Sequence, residues 1–200
     1  MNFNNVKLFE NKIAEYFGSP YAVAVDCCTH GIELCLRYDR VTSIHVPKRT
    51  YISIPFLAKK LSLDLYWKDE NWVDYYSLGN HTRVIDAAVL WKRDSYIPHT
   101  LMCLSFQFQK HLSLGRGGMI LCDSEKNYSE LKKMTYDGRL PNIPWRAQDI
   151  DTMGYHYYMT PETAQSGLDK LDGAIKTIPR QWTVNDWPDL TQMKVFKNNQ

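Results

Sequence analysis

The first half of the chain exchanges two periodicities in a regular way, and this limits its folds more than any other feature. Val6, Phe9, Ile13 and Phe17 recur at helical spacing, and Gly18 is placed to end that helix. Tyr21 to Val25 is a short apolar strand, and Asp26 to Thr29 a turn that can cap a helix carrying Ile32, Leu34, Cys35 and Leu36. Ser43 to Val46 reads as a second strand stopped by Pro47, Ile52 to Leu61 as a helix with Pro55 in its first turn, and Leu63 to Trp67 as a third strand. Short apolar strands alternating with helices predict an α/β fold, a mainly parallel sheet covered by helices.

Further strands are expected at Arg83 to Ala87, Leu101 to Phe106 and Met119 to Cys122. Ser124 is an N-cap for a helix running to about Tyr136, with Gly138 beyond it. Thr160-Pro161 opens another helix that ends near Ile175. The domain reading is a single α/β cofactor-binding domain over residues 1–178 and an irregular tail over 179–200. Trp182 and Trp187 give that tail the means to cover a site, or it docks loosely as termini do.

Composition narrows the class. A net charge of +2 gives no argument for nucleic acid or an acidic membrane, and 44% hydrophobic with 23% charged residues suits a soluble globular chain. No apolar run approaches a membrane span, and the first residues lack a signal-peptide core, so a cytoplasmic protein without membrane partner is expected. Five cysteines at spacings that match neither zinc sites nor secreted disulfide frames read as reduced thiols, with no metal.

Ligands of open α/β sheets bind at the carboxyl ends of strands, where Thr29, Asp86 and Ser105 are expected to converge. Thr29 stands at a strand–turn–helix step whose free N–H groups suit a phosphate. Asp86 could keep a pyridine nitrogen protonated or serve as an N-cap or ion-pair partner. Lys110 follows the apolar run Leu101 to Phe106 and precedes Gly115-Arg116-Gly117-Gly118. A buried lysine there becomes a nucleophile that can hold an aldehyde cofactor as a Schiff base; a solvated one does nothing of the kind. Tyr51, after Val46-Pro47-Lys48-Arg49-Thr50, can stack on a ring or fill the core.

In their order these blocks resemble the DegT/StrS family of pyridoxal-phosphate-dependent aminotransferases acting on nucleotide-linked keto-sugars. The likeness runs from about Phe9 to about Leu171 and is most specific in Cys103-Leu104-Ser105-Phe106-Gln107-Phe108-Gln109-Lys110-His111-Leu112 followed by Gly115-Arg116-Gly117-Gly118-Met119. Val46-Pro47 to Tyr51, Val84 to Ala88 and Met153-Gly154-Tyr155-His156-Tyr157-Tyr158-Met159 resemble further family blocks. The resemblance implies a reduced form of the large domain of the fold type I transferases. It implies pyridoxal 5'-phosphate as cofactor, a nucleotide-sugar substrate, glutamate as amino donor and a homodimer with shared active sites.

By the same resemblance Lys110 would bond the cofactor aldehyde and shuttle the proton, and Asp86 would pair with the ring nitrogen. Thr29, the backbone at His30 and Ser105 would hold the phosphate, Tyr51 would stack on the ring, and His156 would reach a neighbouring subunit's phosphate. The chain departs from the family at Val89, Arg116, His156, Cys28 and His30, and a shortened form without the C-terminal domain that closes over substrate is expected. Two readings follow: a minimal aminotransferase, or a reduced, non-catalytic or regulatory relative that keeps the fold.

Overall fold

A computed structural model describes residues 3–197. Five strands form one sheet in the order β1-β7-β6-β5-β4: β1 (Tyr21–Val25), β4 (Tyr76–Ser77), β5 (Val84–Asp86), β6 (Leu101–Ser105) and β7 (Gly118–Cys122). Two further strands, β2 (Ser43–Pro47) and β3 (Asp64–Lys68), pair in parallel as a separate ribbon. The main helices are α1 (Asn4–Phe17), α2 (Cys28–Tyr38), α3 (Ser53–Leu61), α4 (Glu125–Thr135) and α5 (Pro161–Lys176), with a single turn α6 (Lys194–Lys197) near the end. Among the described residues no helix is long and apolar enough to cross a membrane.

Helices cover the sheet as expected, but its pairing is more mixed than the sequence pattern implied. Only β5 and β6 run parallel in it, while β1–β7, β6–β7 and β4–β5 are antiparallel. The cause is the connection after β6. The twelve-residue loop 106–117 holds no helix, and a chain without a crossover helix returns antiparallel to the strand it left.

Alternation along the strands builds two cores. Ala22, Ala24, Met102, Leu104, Met119 and Leu121 face α1 and α5, while Val23, Val25, Leu101, Cys103, Ile120 and Cys122 face α2, α3 and α4. With both faces covered, the strands need little polar content, which is why they read as continuous apolar runs. Caps fix the helix ends. Gly18 takes φ 73° and its N–H returns to the Ala14 and Glu15 carbonyls. Ser124 accepts from the Asn127 N–H, and Thr160 from the Thr163 N–H with Pro161 behind it. All five cysteines are free thiols, and four are buried as small apolar groups.

The tail is ordered against the body rather than irregular throughout. Leu190 N–H donates to the Lys48 carbonyl at 2.8 Å, and the Phe196 ring lies 5.5 Å from Phe56 and 5.3 Å from Trp67. It thus runs back across the β2–β3 ribbon and α3.

Candidate active site

Strand directions put the carboxyl ends of β1, β5 and β6 on one edge of the sheet. Asp86 ends β5, Ser105 ends β6, and Val25 ends β1, directly before the turn into α2. Gly118 opens β7 between them, paired with Val25 on one side and Ser105 on the other. Its bareness is needed: a Cβ there would stand 2.5 Å from the Cys28 nitrogen and 2.7 Å from the Cys27 carbonyl carbon. Helix α2 therefore starts in backbone contact with the sheet edge.

Over this edge lies a cavity of about 390 Å³, a size suited to a small organic ligand. Thr29, Tyr51, Asp86, Ser105 and Lys110, five of the residues predicted from sequence, line it. A second hollow of about 260 Å³ adjoins it across Ser105 and Lys110 and carries Arg180 and Trp182. His30 and His156 line neither. His30 stacks on Tyr157 with ring centroids 3.7 Å apart, and its backbone N–H goes to the Cys27 sulfur. His156 is exposed and bonded to Asp137 at 3.0 Å.

Asp86 is 4% exposed. Its Oδ2 accepts from the Tyr76 hydroxyl at 2.6 Å and its Oδ1 from the Ala88 N–H at 3.0 Å. Thr50 lies 2.7 Å behind Tyr76; because the tyrosine proton is given to Asp86, Thr50 donates. Burial raises the Asp86 pKa above the ordinary carboxylate value, and the Tyr76 hydroxyl, the Ala88 N–H and the Lys110 charge oppose that rise. Burial lowers the Lys110 pKa below the usual lysine value, with Asp86 pulling the other way. The Lys110 Nζ lies 4.6 Å from the Trp182 ring centre and 5.6 Å from that of Trp187, so the tail covers the amine.

The α2 end of the cavity is polar. Thr29 Oγ1 and Ser53 Oγ stand 2.8 Å apart, and both residues line it with Cys27 and Arg116. Asp26 receives Arg116 Nη2 at 2.6 Å and His30 Nδ1 at 2.7 Å. Burial would raise the Asp26 pKa, yet the bonds from His30 and Arg116 hold it below the usual value. For His30 burial works against the charge, but Asp26 and Cys27 push its pKa up to about 9.

Several lining residues had no role in the sequence reading: Thr50, Ser53, Trp72, Gln107 and Gln109, and behind them Tyr76. Gln107 and Gln109 fall inside the Ser105–Lys110 block and could have been flagged there. Trp72 and Tyr76 sit in a stretch with no periodicity, and nothing in the sequence marks them.

The family model for the DegT/DnrJ/EryC1/StrS aminotransferase family matches residues 1–60 and 98–185. The unmatched stretch between them contains β3, β4 and β5, Asp86 included. No curated protein matches the chain. Solved structures do. Sugar aminotransferase CalS13 from Micromonospora echinospora is 17% identical with a TM-score of 0.67, over 86% of this chain and 61% of its own. The protein Spr1654 from Streptococcus pneumoniae, in its PLP-form, is 18% identical with a TM-score of 0.64, over 86% and 59%. GDP-4-keto-6-deoxymannose-3-dehydratase (ColD) with bound GDP-perosamine is 16% identical with a TM-score of 0.68, over 86% and 61%. Likeness at this identity speaks to the fold, that of the fold type I transferases, and the chain spans between 56% and 61% of the length of such structures. Since the family model covers well over half of the residues, this chain belongs to the DegT/DnrJ/EryC1/StrS aminotransferase family.

Proposed function

We propose that the cavity binds pyridoxal 5'-phosphate at Lys110 and that the protein transfers an amino group from an amino acid, glutamate by family likeness, to a nucleotide-linked keto-sugar. The observation that carries this is the meeting of Lys110, Asp86 and Thr29 in one cavity, although Asp86 and Lys110 come from separate strands and loops. The group fits the donors present. There is an amine for an aldehyde, a buried carboxylate for a pyridinium, and hydroxyls from Thr29, Ser53 and Ser105 beside a helix N-terminus for a phosphate. When bound, pyridoxal phosphate supplies a reactive aldehyde and an electron-withdrawing ring.

The chain's own residues do the rest. Lys110 Nζ, made less basic by burial, would take the proton from the α-carbon of the donor and deliver it to the carbon that had been the cofactor's aldehyde. Asp86, held by Tyr76 and Ala88, would pair with the ring nitrogen and keep it protonated. Tyr51, 52% exposed and edge-on to Trp187 at 6.1 Å, flanks the cavity's open side. The adjoining hollow gives the amino donor room, and Arg180 offers its carboxylate a cation. The GDP-perosamine bound to the related ColD supports a nucleotide-sugar as acceptor. A homodimer is the assembly that suits His156, which lies outside the protein's own cavity and exposed.

Borohydride treatment after incubation with pyridoxal phosphate tests the cofactor reading. A reduced adduct on Lys110 by peptide mass spectrometry is expected, and none in K110A. An adduct spread over surface lysines, or persisting elsewhere in K110A at the same yield, overturns it. A second reading is a cofactor-binding relative without turnover, favoured by the two tryptophan rings resting on the Lys110 amine. Loading followed by glutamate separates the two, because only a transaminase releases 2-oxoglutarate.

A further inference from the structure

We infer that Arg116 is the phosphate-binding cation of this cavity, held in place by Asp26 at the start of α2. This rests on the cofactor reading above and deepens it. A phosphate monoester carries close to two negative charges at neutral pH. Thr29, Ser53 and Ser105 can donate hydrogen bonds to it but bring no charge. Two cations line the main cavity, Lys110 and Arg116. Lys110 is committed to the aldehyde, which leaves Arg116 for the phosphate.

The surroundings of Arg116 agree with that role. Its Nη2 is fixed by Asp26 Oδ2 at 2.6 Å, so a guanidinium with five N–H donors still has others to offer. Its side chain lines the cavity and is 66% exposed, so the guanidinium N–H groups not bonded to Asp26 are accessible to a ligand. Asp26 does not cancel the charge, because His30 Nδ1 shares the same carboxylate at 2.7 Å. Two cationic side chains around one carboxylate leave a positive surplus, and the N-terminus of α2 adds to it. Asp26, Cys27 and His30 also lie within 4.8 Å of one another, close enough to hold a metal ion. Arg116 and the helix N-terminus set the local field against a cation and in favour of an anion.

Apo protein titrated with pyridoxal phosphate and, separately, with pyridoxal gives the test. Quenching of tryptophan fluorescence reports both, since Trp72 and Trp187 line the cavity. R116Q is expected to weaken pyridoxal phosphate binding by about 10–100-fold, the loss typical of one charge-assisted contact, and to change pyridoxal binding by less than about twofold. R116K should recover part of the loss, because it restores charge without the fork. If R116Q lowers affinity for both ligands equally, or for neither, the inference is wrong. A wild-type protein that binds neither ligand overturns the cofactor reading as well. A wild-type protein that prefers the phosphorylated form, with R116Q keeping that preference, overturns the Arg116 assignment alone. Circular dichroism of R116Q confirms that an exposed substitution leaves the fold in place.

Discussion

Replacing Tyr76 by Phe removes one oxygen from a buried chain of three groups, Thr50, Tyr76 and Asp86. The ring stays, so no cavity forms. What is lost is a 2.6 Å bond to a carboxylate and the acceptor for Thr50. A hydrogen bond to a charged group contributes about 1.5–3 kcal/mol, and a stranded buried partner adds to the cost, so Y76F should destabilise by about 2–3 kcal/mol. For a chain of this size that is about 4–12 °C in Tm. The pH dependence carries the sharper prediction. The Asp86 pKa is already raised by burial, and the Tyr76 hydroxyl is among the groups opposing that rise. A raised carboxyl contributes stability that is full at low pH and is lost as pH rises through the folded value. Without Tyr76 the folded value climbs further, so more stability is lost at neutral pH. Urea denaturation of both proteins at about pH 5 and about pH 8 should give a larger difference at the higher pH. A cost below about 0.5 kcal/mol, or one equal at both pH values, would refute the assignment of Asp86 as a buried carboxyl held by Tyr76.

Other outcomes follow from the same geometry. Gly118→Ala places a methyl against the Cys27–Cys28 backbone, which cannot yield as a side chain would. About 1–3 kcal/mol of stability should be lost, with changed amide shifts at the start of α2 by NMR. His30 should titrate near 9 in an imidazole NMR experiment and fall toward the ordinary 6.5 in D26N. Its raised value means stability that is full below 6.5 and is lost as pH rises through about 9, a loss that D26N should flatten.

Much of the fold was legible because each element was marked by more than one signal. Helix α5 had Thr160, Pro161 and an apolar stripe; α4 had Ser124; β1, β6 and β7 were uninterrupted apolar runs bounded by turns. Direction was not legible. Whether β7 runs with or against β6 depends on the path of the loop at 106–117, which has no periodic pattern of its own. The cavity was legible where its residues sit at strand ends, as Asp86 and Ser105 do. It was hidden where they reach in from elsewhere. Tyr76 belongs to a two-residue strand that nothing in the sequence marks. Trp187 was open to either reading, cover or loose terminus, because the tail's position depends on contacts with Lys48 and Arg49. Arg116 was visible as a departure from the family pattern, but its pairing with Asp26, ninety positions away, is a matter of tertiary structure alone.

The pairing of β1 with β7 has a consequence for synthesis. Tyr21 lies opposite Cys122 and Val25 opposite Gly118, so β1 has no sheet partner until roughly a hundred further residues have been made. At about 5–20 residues per second a ribosome needs about 5–20 s to supply them. During that interval a run of Ala and Val waits unpaired on the nascent chain, next to a finished helix α1 whose own partner α5 comes later still. The end of the cavity built on the step from β1 to α2 therefore exists only after β7 has arrived. Chaperone demand for this protein should be concentrated on its first third, and a stop in translation before Cys122 should leave a fragment that is retained and degraded rather than partly folded.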